Sequence, residues 1–204
     1  MRDDRGFNIN AVWFLIGINL ILFMATSLNE DLFWRLGLQP GYFTEEPWTI
    51  VTSMFVHDTF PNIYHILGNM VTLYFFGTYL CSLVGDGRFL ITYFLGGLLG
   101  NALCILYALH APWTNPIIDP YVTYVGASGA VFAVGGALAV LRPNAKVIVF
   151  PIPAPLPLWI AVLGGFLIIS LFPSVAWQAH LGGLVLGLLA GLVFRGGRRP
   201  YVRL

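Results

Sequence analysis

Six apolar runs, separated by short polar stretches and one long connection, set the pattern of this chain. They cover about 11–27, 62–84, 88–109, 128–141, 156–172 and 179–194. A helix needs roughly 17–25 mainly apolar residues to cross a bilayer. The pattern therefore predicts six transmembrane helices packed around a short, central fourth one. Residues 28–61 form a long first outer loop, polar and aromatic, with room for structure of its own. The stretch Phe150-Pro151-Ile152-Pro153-Ala154-Pro155-Leu156-Pro157 is not helical throughout, because alternate prolines remove donors and clash with the preceding turn. It reads as a stiff lead-in to the fifth run. No soluble domain or repeat array interrupts the order, so residues 1–204 read as a single all-α polytopic membrane domain.

Composition agrees with that class and excludes others. The chain is 58% hydrophobic and 9% charged, with a mean hydropathy of +0.81. Soluble domains carry about 25% charged residues. The net charge of +1 says nothing about nucleic acid, and no basic cluster is interleaved with stacking aromatics, so no nucleic-acid partner is expected. Cys81 and Cys104 both sit within apolar runs and read as small buried hydrophobes, without the spacing of a metal site or a disulfide framework. Residues 1–10 are too short and polar for a transit peptide, and the run after them reads as a retained helix.

Charge orients the chain. Six spans place both termini on one side. That side collects Arg2, Arg5, Arg88, Arg142, Lys146, Arg195, Arg198, Arg199 and Arg203, against Arg35 alone on the other. The opposite side holds Glu30, Asp31, Glu45, Glu46, Asp58 and Asp119. The excess of Lys and Arg in cytoplasmic loops then predicts cytoplasmic termini.

Depth along the membrane brings distant residues level. Ser128 is 14 steps from Arg142, about 21 Å at 1.5 Å per residue. In a hydrocarbon core of about 30 Å it lies roughly 9 Å below the outer boundary. His180 is 15 steps before Arg195, about 22 Å, on a helix running the same way. Asn69 lies about 26 Å above the inner face, with His65 one turn higher. Gly129, Ala133 and Ala137 form a small-residue stripe on the fourth helix, and Gly183, Gly187 and Gly191 a matching one on the sixth. Such stripes let backbones approach closely, and this contact would set Ser128 beside His180.

A serine acts as a nucleophile when a base stands next to it, and a neutral imidazole is the usual base. No Asp or Glu occurs in the last three runs, so the pair would be a dyad, with Phe132 one turn below Ser128 able to stack on His180. His65, Asn69 and the Ser128 amide converge in depth as oxyanion donors. Each residue has a plainer use. Gly-Ala-Ser-Gly suits packing, Phe132 suits a core, and His180 or Asn69 suits a hydrogen bond between helices. Asn101 reads as structural. Ala130 stands where the Gly-x-Ser-x-Gly elbow of soluble hydrolases needs a glycine.

Together these residues resemble the rhomboid family of intramembrane serine proteases, of the prokaryotic six-span type. The motifs are Gly126-Ala127-Ser128-Gly129 opening the fourth helix, Ala179-His180-Leu181-Gly182-Gly183 with Gly187 in the sixth, and His65 with Asn69 in the second. The resemblance covers about 11–195. It implies Ser128 as nucleophile, His180 as general base, and His65, Asn69 and the Ser128 amide as the oxyanion hole. Gly126, Gly129, Phe132 and Gly183 would support them. It also implies transmembrane protein substrates cut near their outer ends, with the lipid bilayer as surroundings and no metal or cofactor. The location implied is the cell membrane, with the site opening to the extracytoplasmic side. The fifth helix, behind its proline-rich lead-in and with Gly164-Gly165 mid-span, reads as a lateral gate. Members often carry Trp-Arg where this chain has Trp48-Thr49. The alternative is an inactive rhomboid-like scaffold that binds helices without cutting.

Overall fold

A computed structural model of the chain describes residues 10–110, 119–149, 152–172 and 175–196. Phe150 and Pro151, and five of the basic residues used for orientation (Arg2, Arg5, Arg198, Arg199, Arg203), lie outside them. Among the described residues the helices are α1 (Asn10–Leu28), α2 (Glu30–Leu36), α3 (Thr49–Thr52), α4 (Tyr64–Val84), α5 (Asp86–His110), α6 (Ser128–Leu141), α7 (Leu158–Ile169) and α8 (Trp177–Gly196). Of these, α1, α4, α5 and α8 are long and apolar enough to cross a membrane, whereas α6 and α7 are shorter apolar helices. The protein is a mostly helical, multi-pass membrane protein.

Small side chains decide the centre of the bundle. Helix α6 is apolar on every side, as a helix surrounded by others must be, and eleven of its 14 residues are buried. It packs chiefly against α8, which also packs against α5. A β-carbon on Gly183 would collide with the Gly129 carbonyl, and one on Gly187 with the Ala133 carbonyl. One on Gly191 would lie 2.8 Å from the Ala137 carbonyl oxygen. The two small-residue stripes therefore meet rung by rung, with backbone touching backbone. Helices α4 and α5 are joined through Gly85 alone, whose φ of +84° is open to glycine, and whose N–H closes α4 on the Cys81 carbonyl at 2.8 Å.

Two elements differ from the hydrophobic pattern. The fifth apolar run spans 156–172, but its helix covers only Leu158–Ile169. Leu156 and Pro157 form a short strand, β2, antiparallel to β1 (Lys146–Val147), in the register Lys146↔Pro157 and Val147↔Leu156. The purely helical expectation is corrected by this minimal ladder. Prolines at 153, 155 and 157 hold φ near an extended value, and a ring without an N–H is tolerated at a strand edge.

The first loop is ordered by its own helices and by its grip on the segment before α6. Leu38 and Tyr124 pair backbone to backbone, the Leu38 N–H donating at 3.0 Å and the Tyr124 N–H at 2.7 Å. Gln39 Nε2 donates to Thr123 Oγ1 at 2.8 Å. Trp48 Nε1 donates to the Arg35 carbonyl at 3.0 Å, and Thr52 Oγ1 to the Leu36 carbonyl at 2.7 Å. Trp48 is thus tied to the Trp34-Arg35 segment through its backbone. Asn101 on α5 also has partners: its Nδ2 donates to the Ile50 carbonyl at 2.8 Å and to Ser53 Oγ at 2.9 Å. It anchors the loop to the bundle.

Candidate active site

Ser128 is the first residue of α6 and His180 lies one turn into α8. The close approach of these helices places His180 Nε2 2.7 Å from Ser128 Oγ. His180 is buried and Ser128 half-buried. Phe132 lies against the imidazole, with ring centroids 4.8 Å apart and planes inclined by 39°. Phe166 of α7 meets the Phe132 ring edge-on at 5.9 Å. His180 Nδ1 is buried with no hydrogen-bond partner among the described residues. Packing against Phe132, with no carboxylate on Nδ1, therefore orients this ring.

Gly126 has a φ of +129°, which suits glycine alone. A β-carbon there would stand 2.7 Å from His65 Nε2 and 3.6 Å from Ser128 Oγ. The missing side chain thus leaves a small space bounded by His65 and Ser128. Asn69, buried on the same face of α4, donates one amide hydrogen to the His65 carbonyl at 2.9 Å. An amide carries two such hydrogens, so the second remains for another acceptor. Helix-start amides such as that of Ser128 have no intrahelical partner, and the helix dipole favours negative charge there.

His57, Ser53 and Asp58 are functional neighbours that sequence reasoning left within the loop. The Gly126 N–H donates to the Ser53 carbonyl at 3.0 Å. The Ala127 N–H donates to His57 Nε2 at 3.4 Å. Two consecutive amides before Ser128 are therefore held by the first loop. His57 also stacks edge-on against His65, with centroids 5.0 Å apart. Asp58 Oδ2 lies 3.1 Å from His65 Nδ1. A histidine shortly before the helix bearing His65 was the only available signal, since no periodicity links a loop residue to a helix start.

His57 is completely buried, and burial, reinforced by the charge of nearby His65, pushes its pKa from 6.5 down to about 3. The folded protein therefore keeps it neutral, while an unfolded chain takes up a proton below about pH 6.5. Its contribution to stability is complete above that value and is lost as pH falls towards 3. We expect the melting temperature of wild type to drop more over this range than that of His57→Gln. Glutamine keeps an acceptor oxygen for the Ala127 N–H but does not titrate. Equal acid losses in the two proteins would refute the assignment.

A family model described as the rhomboid domain matches residues 44–197. The chain belongs to the rhomboid family. This rhomboid is 32% identical over 201 residues to "Rhomboid protein 1, mitochondrial" of Saccharomyces cerevisiae, a match covering 89% of the chain and 52% of that protein. It is 35% identical over 164 residues to "RHOMBOID-like protein 12, mitochondrial" of Arabidopsis thaliana, covering 74% and 47%. With "Putative rhomboid protease YdcA" of Bacillus subtilis it shares 30% identity over 131 residues, covering 62% and 59%. The chain spans about half the length of the curated relatives it matches. The matched relatives include proteins named proteases and one named inactive.

Proposed function

We propose that this rhomboid is an intramembrane serine endopeptidase that cuts transmembrane helices of membrane proteins near their outer ends. The observation that carries the reading is the 2.7 Å contact between Ser128 Oγ and His180 Nε2, at a depth where an unpaired polar group is costly. With Nε2 unprotonated, His180 takes the hydroxyl proton as Ser128 Oγ attacks the scissile carbonyl carbon. Charge then develops on the carbonyl oxygen. The second Asn69 hydrogen, His65 Nε2 and the Ser128 amide are the donors that receive it. As the carbon–nitrogen bond breaks, His180 returns its proton to the leaving amine. A water molecule, deprotonated by the same ring, frees the acyl group from Ser128. Gly126 keeps the space open, Gly129 and Gly183 set the distance between α6 and α8, and Phe132 holds the base.

The same reading counts α6 and α7 as spans, giving six with both termini cytoplasmic. Helix α6 is sheathed by protein, so it need not match the lipid thickness by itself. The Arg88 guanidinium lies over the Phe194 ring, 5.6 Å from its centroid. This puts the basic start of α5 beside the basic end of α8, as the charge pattern requires. We place the protein in the cell membrane with Ser128 opening to the extracytoplasmic side, and α7, with only Leu158 and Val162 buried, as the gate.

Purified protein in detergent, treated with a fluorophosphonate, is expected to carry the adduct on Ser128 by mass spectrometry. Ser128→Ala should then neither label nor cut a model transmembrane substrate. Labelling that persists undiminished in Ser128→Ala would defeat the nucleophile assignment. A protein that binds substrate but never labels would favour the inactive scaffold.

A further inference from the structure

Helix α7 is fastened by hydrogen bonds at one end only. At the end far from Ser128 the Leu158 N–H donates to the Ala145 carbonyl at 2.8 Å, and the Trp159 N–H to the Pro143 carbonyl at 3.3 Å. The pairing of Pro157 with Lys146 lies just before them. From Ile160 to Ile169 the helix makes no hydrogen bond to another element among the described residues. Side-chain packing holds that part. Leu158, Val162 and Phe166, spaced four apart, share one face of α7. The first two are buried and Phe166 is half-buried. A β-carbon on Gly135 of α6 would stand 3.3 Å from Val162 Cγ2. Phe166, one turn nearer the site, meets the Phe132 ring of α6 edge-on, with planes inclined by 88°. Leu163, Leu167, Ile168 and Ile169, on the other faces, are exposed.

The near end of this face bears on the base. Among the described residues Phe132 has two ring neighbours, Phe166 at 5.9 Å and His180 at 4.8 Å between centroids. His180 Nδ1 has no hydrogen-bond partner there. Turning the imidazole out of line therefore breaks no hydrogen bond other than the 2.7 Å contact with Ser128 Oγ. Phe132 resists that turn only while its own ring is held, and the edge of Phe166 holds it. Edge-to-face is a preferred arrangement for an aromatic pair. The three rings thus run from the loosely held part of α7 to the catalytic nitrogen.

We propose that Phe166 is a positioning residue: through the Phe132 ring it keeps His180 in line with Ser128, so that the dyad is competent only while α7 lies against α6. This rests on the protease reading given above. A substrate helix that pushes the near end of α7 aside withdraws Phe166 from Phe132 and disarms the base. Return of α7 to α6 re-forms the ring contacts and restores it. Admission of the substrate and the chemical step are thereby separated in time.

The test replaces Phe166 with leucine, which stays apolar but loses the ring edge, and with tyrosine, which keeps it. Fluorophosphonate carries no transmembrane segment, so its rate of reaction with Ser128 reports the dyad without helix entry. Per folded molecule, Phe166→Leu should label on the order of two- to tenfold more slowly, the size of a lost aromatic pair. Cleavage of a transmembrane substrate should fall by the same factor in kcat at unchanged KM. Phe166→Tyr should restore both. In a Phe132→Leu background, adding Phe166→Leu should slow labelling no further, because the path between the two helices is already cut. The His180 ring protons, shifted by the Phe132 ring current, should move in the proton spectrum of Phe166→Leu. Labelling at the native rate, faster cleavage as from a gate that merely obstructs, losses that multiply in the double variant, or an unmoved spectrum would each overturn the proposal. Wild type that never labels on Ser128 would end the protease reading, whereas native labelling by Phe166→Leu ends only this one.

Discussion

Replacing His180 with alanine should lower turnover by on the order of 10⁶, as removal of one member of a nucleophile–base pair does elsewhere. The expectation rests on the 2.7 Å separation from Ser128 Oγ and on the lack, among the described residues, of another base hydrogen-bonded to that oxygen. His57 lends its Nε2 to the Ala127 amide, and His65 Nδ1 faces Asp58. His57 cannot move to Ser128 without giving up the Ala127 contact, and His65 Nε2 borders the space beside Gly126 without a hydrogen bond to Ser128 Oγ among the described residues. In the proposed dyad nucleophile and base act as a unit, so the Ser128→Ala, His180→Ala double variant should be no slower than either single one. The measurement is cleavage of a transmembrane substrate in detergent and in vesicles, with the rate of fluorophosphonate labelling followed alongside. A His180→Ala protein that labels at the native rate would remove the imidazole from the mechanism. Losses that multiply in the double variant would mean that the two residues act separately.

Enlarging Gly183 should damage both the fold and the site. Its missing side chain is replaced by the Gly129 carbonyl, and backbone cannot swing aside as a flexible side chain can. Any β-carbon there must drive α8 from α6, which carries His180 away from Ser128. Overpacking typically costs 1–3 kcal/mol, and in a chain of this size each kcal/mol lowers the melting temperature by roughly 2–4 °C. Gly183→Ala is therefore expected to melt several degrees lower, and Gly183→Val lower still, with labelling of the surviving folded protein also reduced. Gly17→Ala on α1 is the control, because a β-carbon there meets nothing within 4 Å. That substitution should be neutral or stabilising, since alanine is the better helix former. If Gly183→Ala melted and labelled like Gly17→Ala, the α6–α8 contact would not be what holds the dyad together.

Much of the architecture was open to sequence reasoning because it obeys a period or a length. The apolar runs at 62–84, 88–109 and 179–194 carry α4, α5 and α8 because a bilayer demands internal backbone hydrogen bonds over a set distance. The glycine and alanine stripes predicted the α6–α8 contact, since residues four apart share one face. Common depth then put Ser128 level with His180. The stack of Phe132 on His180 follows from the same spacing.

Residues outside that periodicity behaved differently. Asn101, read as structural without a partner, proves to hold Ile50 and Ser53. Ser53 and His57, from a loop with no repeating pattern, take the amides of Gly126 and Ala127. Asp58 was counted only as an outer-side acid until folding set it on His65. The described part of the proline-rich stretch, 152–157, lies outside the helices although the fifth apolar run includes Leu156 and Pro157, and its pairing with Lys146–Val147 needed a partner strand that the pattern does not mark. The sequence by itself determined the membrane class, the long apolar helices and the small-residue seam, because these depend on local composition and on the thickness of lipid. Only the tertiary structure decided which loop groups grip the start of α6 and that His180 and His65 both turn Nε2 towards the space around Ser128. Those contacts join residues 50 to 80 positions apart through single hydrogen bonds, and no local rule encodes them.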